Sequence, residues 1–142
     1  MQFNVTLSPA DFQKRLKAAL GFVKGNEKHA LTAAADTAIN IILKRTEAGY
    51  DVNGSRFARY SKAYAERRQA KGRNVYPVTL SFTGRMLGSM SQKRQGNDAV
   101  IYFRGGENNK KAAFNNRTRQ FFDLSSRERN RIAAVYFRRL SK

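Results

Sequence analysis

Between Glu27 and Gly49 the apolar residues Leu31, Ala34, Ala35, Ala38, Ile39, Ile42 and Leu43 recur at the spacing that gathers side chains into one stripe of an α-helix. A long helix with one apolar side must find a partner layer, and the alanines let that layer approach closely. The pattern predicts a core helix from about Glu27 to Ala48 that stops at Gly49, a residue type suited to the left-handed turn that closes helices. Burying Ile39, Ile42 and Leu43 contributes roughly 1.5–3 kcal/mol each before ordering entropy is subtracted. His29, near the start of this helix, is the single histidine of a chain without cysteine, and reads as a surface residue rather than a metal ligand.

The remaining pattern supplies strands and further helices. Phe3, Val5 and Leu7 alternate with Gln2, Asn4 and Thr6, a strand near 2–7. Ser8 as a cap, Pro9 at the first helical position and Asp11 in the first turn open a helix whose Phe12, Leu16, Ala19, Leu20 and Val23 share a stripe, with a break near Lys24, Gly25 and Asn26. A second period-two run, Val78, Leu80 and Phe82, predicts a strand near 77–83. After it, Thr83 is placed to cap a short helical turn whose Met86 and Leu87 fold back onto the strand.

Strands near 89–94 and 99–104 flank the turn-rich Gln95, Gly96, Asn97 and Asp98, a hairpin with Val100 and Tyr102 on one face and Ile101 and Phe103 on the other. Ser125 to Glu128 has the form of a capping box, in which a hydroxyl and a carboxylate satisfy the first donors of a helix reciprocally. That helix runs to about Leu140, with Ile132, Val135, Tyr136 and Leu140 inward. The expected fold is α+β: a small antiparallel sheet packed against a long N-terminal helical segment and a C-terminal helix. It forms one domain over residues 1–142, with an extended basic loop at 51–74 and a mobile loop at 104–116 whose Ala112, Ala113 and Phe114 serve as a small anchor.

Charge restricts the function classes. Lys and Arg number 28 against 10 Asp and Glu, a formal net charge of +18 that repels itself in a compact monomer and calls for an anionic partner. Seven of these cations, Arg56, Arg59, Lys62, Arg67, Arg68, Lys71 and Arg73, have only Glu66 as an acidic neighbour, with Phe57, Tyr60 and Tyr64 spaced among them. A short helix capped by Ser61 and ended by Gly72 docks the aromatics and turns the arginines outward. Together with Lys110 and Lys111 these residues are the candidate contacts to phosphates or to an acidic protein surface.

Catalytic chemistry has little to build on. Without cysteine and with one histidine there is no thiolate, no Cys-based zinc site and no obvious nucleophile–base pair, and the serines stand at caps and turns. Asp98, Glu107 and Lys110 are the nearest approach to a magnesium-dependent nuclease pattern, but their spacing is loose and Asp98 is explained as a turn residue. The expectation is a protein that is not an enzyme and takes no cofactor or metal. The first residues lack a basic and apolar leader pattern, and no window reaches the length of a membrane span, so a soluble protein made in the cytoplasm is expected.

Three blocks in order carry a resemblance. They are Gly54 to Ser61 with Tyr64 and Arg67; Leu80 to Ser89, with Thr83, Gly84, Leu87 and Ser89 marking its turn; and Ala112 to Ser125, with Arg119, Phe121 and Ser125. The chain from about Asp51 onward resembles tailed-phage virion morphogenesis proteins, the tail-completion or neck proteins. It departs from them at Met86, which holds the turn's first apolar place, and at Phe114, Asn115 and Asn116, which replace a His-Gln-x-Gly-like element. The resemblance implies a non-enzymatic virion subunit in a homo-oligomeric ring, a hexamer or dodecamer, at the head–tail junction. There it would close the tail and join it to the head, against other neck, connector and tail proteins, with DNA in the lumen. Read from the residues alone, the alternative is a non-enzymatic nucleic-acid-binding module using residues 56–73, with a nuclease as a weaker rival.

Overall fold

The computed structural model describes residues 2–5, 27–96 and 98–140, and the helix expected from Ser8 lies outside them. The stripe after Glu27 forms α1, Glu27–Glu47, with Ala30, Leu31, Ala34, Ala35, Ala38 and Ile42 buried. At its end the Tyr50 amide donates to the Arg45 carbonyl at 3.1 Å and the Gly49 amide to Thr46 at 2.9 Å, the paired bonds that close a helix through a left-handed residue. Gly49 has φ +86°, and a Cβ there would stand 2.8 Å from the Pro77 Cβ, so glycine is required twice over.

The small residues of α1 admit the last helix, Ser126–Leu140, its main helical neighbour among the described residues, which buries Ile132, Tyr136 and Leu140 and leaves Val135 half-buried. Its capping box forms as the sequence predicts. The Ser125 hydroxyl accepts from the Glu128 amide at 3.3 Å, and a Glu128 carboxylate oxygen accepts from the Ser125 amide at 2.8 Å.

On the other side of α1 lies a three-stranded antiparallel sheet in the order β1-β3-β2: β1 Gln2–Val5, β2 Met90–Gln95 and β3 Asp98–Phe103. Gln2 pairs with Tyr102 and Val5 with Ala99 on one side of β3; Met90 pairs with Phe103 and Gln95 with Asp98 on the other. Ala99, Ile101 and Phe103 enter the core beside Phe121 and Phe122, while Val100 is buried outside that cluster and Tyr102 is half-buried. The fold is α+β, as expected.

Several expectations are corrected. Residues 77–83 form no strand. Leu80 has φ +57°, a left-handed conformation that interrupts an extended run, and the local backbone groups find side chains instead of a ladder. The Leu80 amide donates to the Tyr60 hydroxyl at 3.2 Å, and the Ser81 carbonyl accepts from Arg68 at 3.0 Å. The alternation still buries Val78 and Leu80. The turn beyond becomes a helix of one turn, Arg85–Gly88, begun by left-handed Gly84 rather than Thr83, whose hydroxyl accepts from the Arg85 amide at 3.4 Å. Met86 and Leu87 fold inward.

The segment expected as a mobile loop at 104–116 is instead the helix Gly106–Thr118. Its glycine and asparagines give weak helix propensity, and tertiary anchoring overrides it. Ala112 is fully buried, the helix packs on β3 and on the Arg85–Gly88 turn, and the Asn116 side chain accepts from the Phe122 amide at 2.9 Å. Phe114, expected as part of an anchor, is 70% exposed. In chain order the helices among the described residues are α1, α2 (Lys62–Ala70), α3 (Arg85–Gly88), α4 (Gly106–Thr118) and α5 (Ser126–Leu140).

Candidate functional site

The basic segment is organised by two arginines. Arg68, expected to point outward, is 3% exposed: its Nε donates to the Asn74 carbonyl at 2.8 Å and its Nη1 to the Ser81 carbonyl at 3.0 Å. Its guanidinium also lies over the rings of Tyr60 at 4.8 Å, Phe82 at 5.7 Å and Tyr64 at 5.8 Å. No carboxylate neutralises it in the described residues; carbonyl dipoles and ring faces replace water around a planar cation, a task for which lysine is poorly shaped. Arg119 acts from the other side, donating to the carbonyls of Ala58 at 2.8 Å and Arg59 at 2.9 Å, with its guanidinium 5.2 Å from the Tyr60 ring centre.

These bonds fix the walls of a groove of about 620 Å³. α2 gives it Tyr64 and Arg67, with Tyr60 and Ser61 just before that helix; the segment before α3 gives Leu80, Phe82, Thr83 and Gly84; α3 gives Arg85 and Met86; and α4 gives Lys111, Phe114, Asn115, Thr118, with Arg119 just beyond. The floor is aromatic and aliphatic. Tyr64 packs edge-on against Tyr60 at 5.0 Å and tilts against Phe82 at 6.5 Å, so these rings already serve one another as packing partners. Arg67, Arg85 and Lys111 stand exposed around the rim, and among the described residues no acidic side chain lines the groove.

The other predicted contact residues divide into anchored and unanchored cations. Arg56 donates to the Ala48 carbonyl at 2.8 Å and lies 4.2 Å over the Tyr50 ring; Arg59 lies 5.6 Å from the Tyr76 ring and Arg73 5.6 Å from Phe82. Lys62, Arg67 and Lys71 are exposed on or beside α2 and take part in no ion pair among the described residues. Lys110 pairs with Glu107 at 3.4 Å on the exposed side of α4. Of the turn residues, Thr83 and Gly84 line the groove, whereas Leu87 and Ser89 are buried beneath it, the Ser89 hydroxyl donating to the Met86 carbonyl at 2.7 Å. Phe121 belongs to the core and Ser125 to the cap of α5.

Asp98 pairs with Gln95 at the hairpin end and Glu107 opens α4; among the described residues no three of His, Cys, Asp and Glu gather to hold a metal ion. His29 is exposed. Among the described residues no helix is long and apolar enough to cross a membrane.

Sequence reasoning missed the contribution of Arg85 and the outward presentation of Phe114. The signal for Phe114 was the spacing of Lys111, Phe114, Asn115 and Thr118, which puts all four on one helix face once residues 106–118 are read as a helix. No protein-family model matches the chain, and no curated protein or solved structure matches it.

Proposed function

We propose that this chain is a structural subunit of a tailed-phage virion, assembling as a ring at the head–tail junction that closes the tail and joins it to the head. One observation carries the reading. The three separate blocks that bear the resemblance, around Tyr60, Gly84 and Asn115, line a single groove and are tied together by Arg68, Arg119 and Tyr60. Blocks that meet in space form one working surface, and that surface presents apolar and cationic groups of the kind that bind another macromolecule. The unbalanced charge supports the same reading, because a subunit of +18 gains from anionic neighbours.

The test is the particle itself. Mass spectrometry of density-purified virions, with antibody labelling in electron micrographs, is expected to find the chain in joined particles and to place it where head meets tail. Its absence from purified particles would overturn the proposal.

A second reading, a module gripping nucleic acid, is favoured by one observation: Lys62, Arg67 and Lys71 are exposed and take part in no ion pair among the described residues. On that reading, affinity for duplex DNA falls with salt at a log–log slope of about −0.9 per phosphate neutralised, and changing these three residues to Gln flattens the slope. A slope left unchanged by the substitutions removes it.

A further inference from the structure

From the groove we infer a specific kind of occupant: an acidic segment of a different protein, inserting apolar side chains between α2, α3 and α4 while its carboxylates meet Arg67, Arg85 and Lys111. The inference rests on the reading of the chain as an assembly subunit and names the chemistry of one partner.

Three observations fix that chemistry. First, the floor is built from Leu80, Met86 and mutually packed rings, and Phe114 is 70% exposed at its edge. An apolar floor with one protruding aromatic is arranged to be covered by apolar side chains. Second, the rim is cationic, with no balancing carboxylate among the described residues that line it, so the complementary surface is anionic. Third, a second copy of this chain is a poor source of such a segment. Its ten acidic residues are spread so that no two lie closer than Glu47 and Asp51, and Glu128, Asp123 and Glu107 are already paired with Arg45, Arg129 and Lys110.

Nucleic acid shares the negative charge but fits the floor less well. A base needs an open aromatic face on which to stack, and of the groove's described rings Phe114 alone offers one at the edge, because the Tyr60 ring is covered by two guanidiniums and the Tyr64 and Phe82 rings engage each other. Aliphatic and sulfur-containing side chains, such as Leu80 and Met86, match aliphatic partners better than bases.

Two fluorescent synthetic peptides of equal length and charge test the inference on the purified full chain: one alternating Glu with Leu and Phe, the other alternating Glu with Ser. A labelled oligothymidylate is the third probe. The expected result is that the apolar acidic peptide binds at least about tenfold more tightly than the Glu/Ser peptide. Phe114→Ala is expected to abolish that preference with an unchanged thermal transition, Arg67→Gln with Arg85→Gln to weaken both peptides, and Arg138→Gln with Arg139→Gln on α5 to change neither.

Equal binding of the two peptides would overturn the inference. So would oligothymidylate binding that displaces the apolar peptide and is lost in Phe114→Ala, which would assign the groove to nucleic acid. A sedimenting oligomer of the wild-type chain that dissociates in Phe114→Ala would assign it to a second copy and equally overturn the inference. Because these measurements use no virion, their failure leaves the particle test of the function standing, and the two outcomes are distinguishable.

Discussion

Arg45 of α1 and Glu128 of α5 form a largely buried ion pair that ties the long helix to the start of the last one. The same guanidinium donates to the carbonyls of Phe121 at 2.6 Å and Asp123 at 2.9 Å, while Glu128 also closes the capping box of α5. One cation therefore sets the position of a helix end and of the chain leading into it. Arg45→Ala leaves Glu128 and two carbonyls without their donor, and is expected to lower folding stability by about 3–5 kcal/mol. Glu128→Gln keeps a cap and a hydrogen-bonding shape and is expected to lower it by less. Denaturant titration of the two variants checks the order; equal, small effects would mean that the pair is incidental.

Arg68 makes a sharper distinction between architecture and binding. Replacement by Lys retains the charge but cannot reach the Asn74 and Ser81 carbonyls with one planar fork. The expected result is a loss of about 2–3 kcal/mol in unfolding free energy. Were Arg68 a contact to an external anion instead, Arg68→Lys would keep its stability and change only binding.

Thr46 is fully buried and its hydroxyl has no hydrogen-bond partner among the described residues. Thr46→Val replaces that hydroxyl with a methyl of similar size at the same branched Cβ. The variant is expected to be more stable by about 1 kcal/mol, read as a raised denaturation midpoint at constant slope.

Much of the scaffold was legible because its signals are local. The stripe of α1, Gly49 as its stop, the capping box at Ser125 and the hairpin each depend on residues close in sequence, and each formed with boundaries shifted by little. The misreadings are tertiary. The alternation of Val78, Leu80 and Phe82 signals burial, which holds for Val78 and Leu80 while Phe82 is half-buried, yet extended pairing is prevented by left-handed Leu80 and by Tyr60 and Arg68, which take the local backbone groups. The segment around Lys110 reads as a loop because its composition is polar, whereas the burial of Ala112, packing on β3 and α3, and the bond that the Asn116 side chain accepts from the Phe122 amide anchor it as a helix. The groove depended on that helix, so its Phe114 rim could not be read before α4 was known.

Tyr136, in the core face of α5, supplies a pH signature. Burial first, and the carboxylate of Glu27 second, push its phenol up from 10.0 to about 12. The neutral phenol is favoured in the fold, so its contribution to stability is intact below pH 10 and is lost as the pH rises through about 12. Wild type is expected to lose more stability across this window than Tyr136→Phe, which lacks the ionisable group. Parallel alkaline profiles for the two proteins would show that the phenol is not linked to folding.

The most direct measurement of the central claim is complementation of a phage from which the coding sequence has been removed, scored by electron microscopy and plaque count. With the wild-type chain supplied in trans, joined and infectious particles are expected. With none supplied, filled heads and separate tails are expected to accumulate. Normal infectious particles formed in the complete absence of the chain would contradict the account.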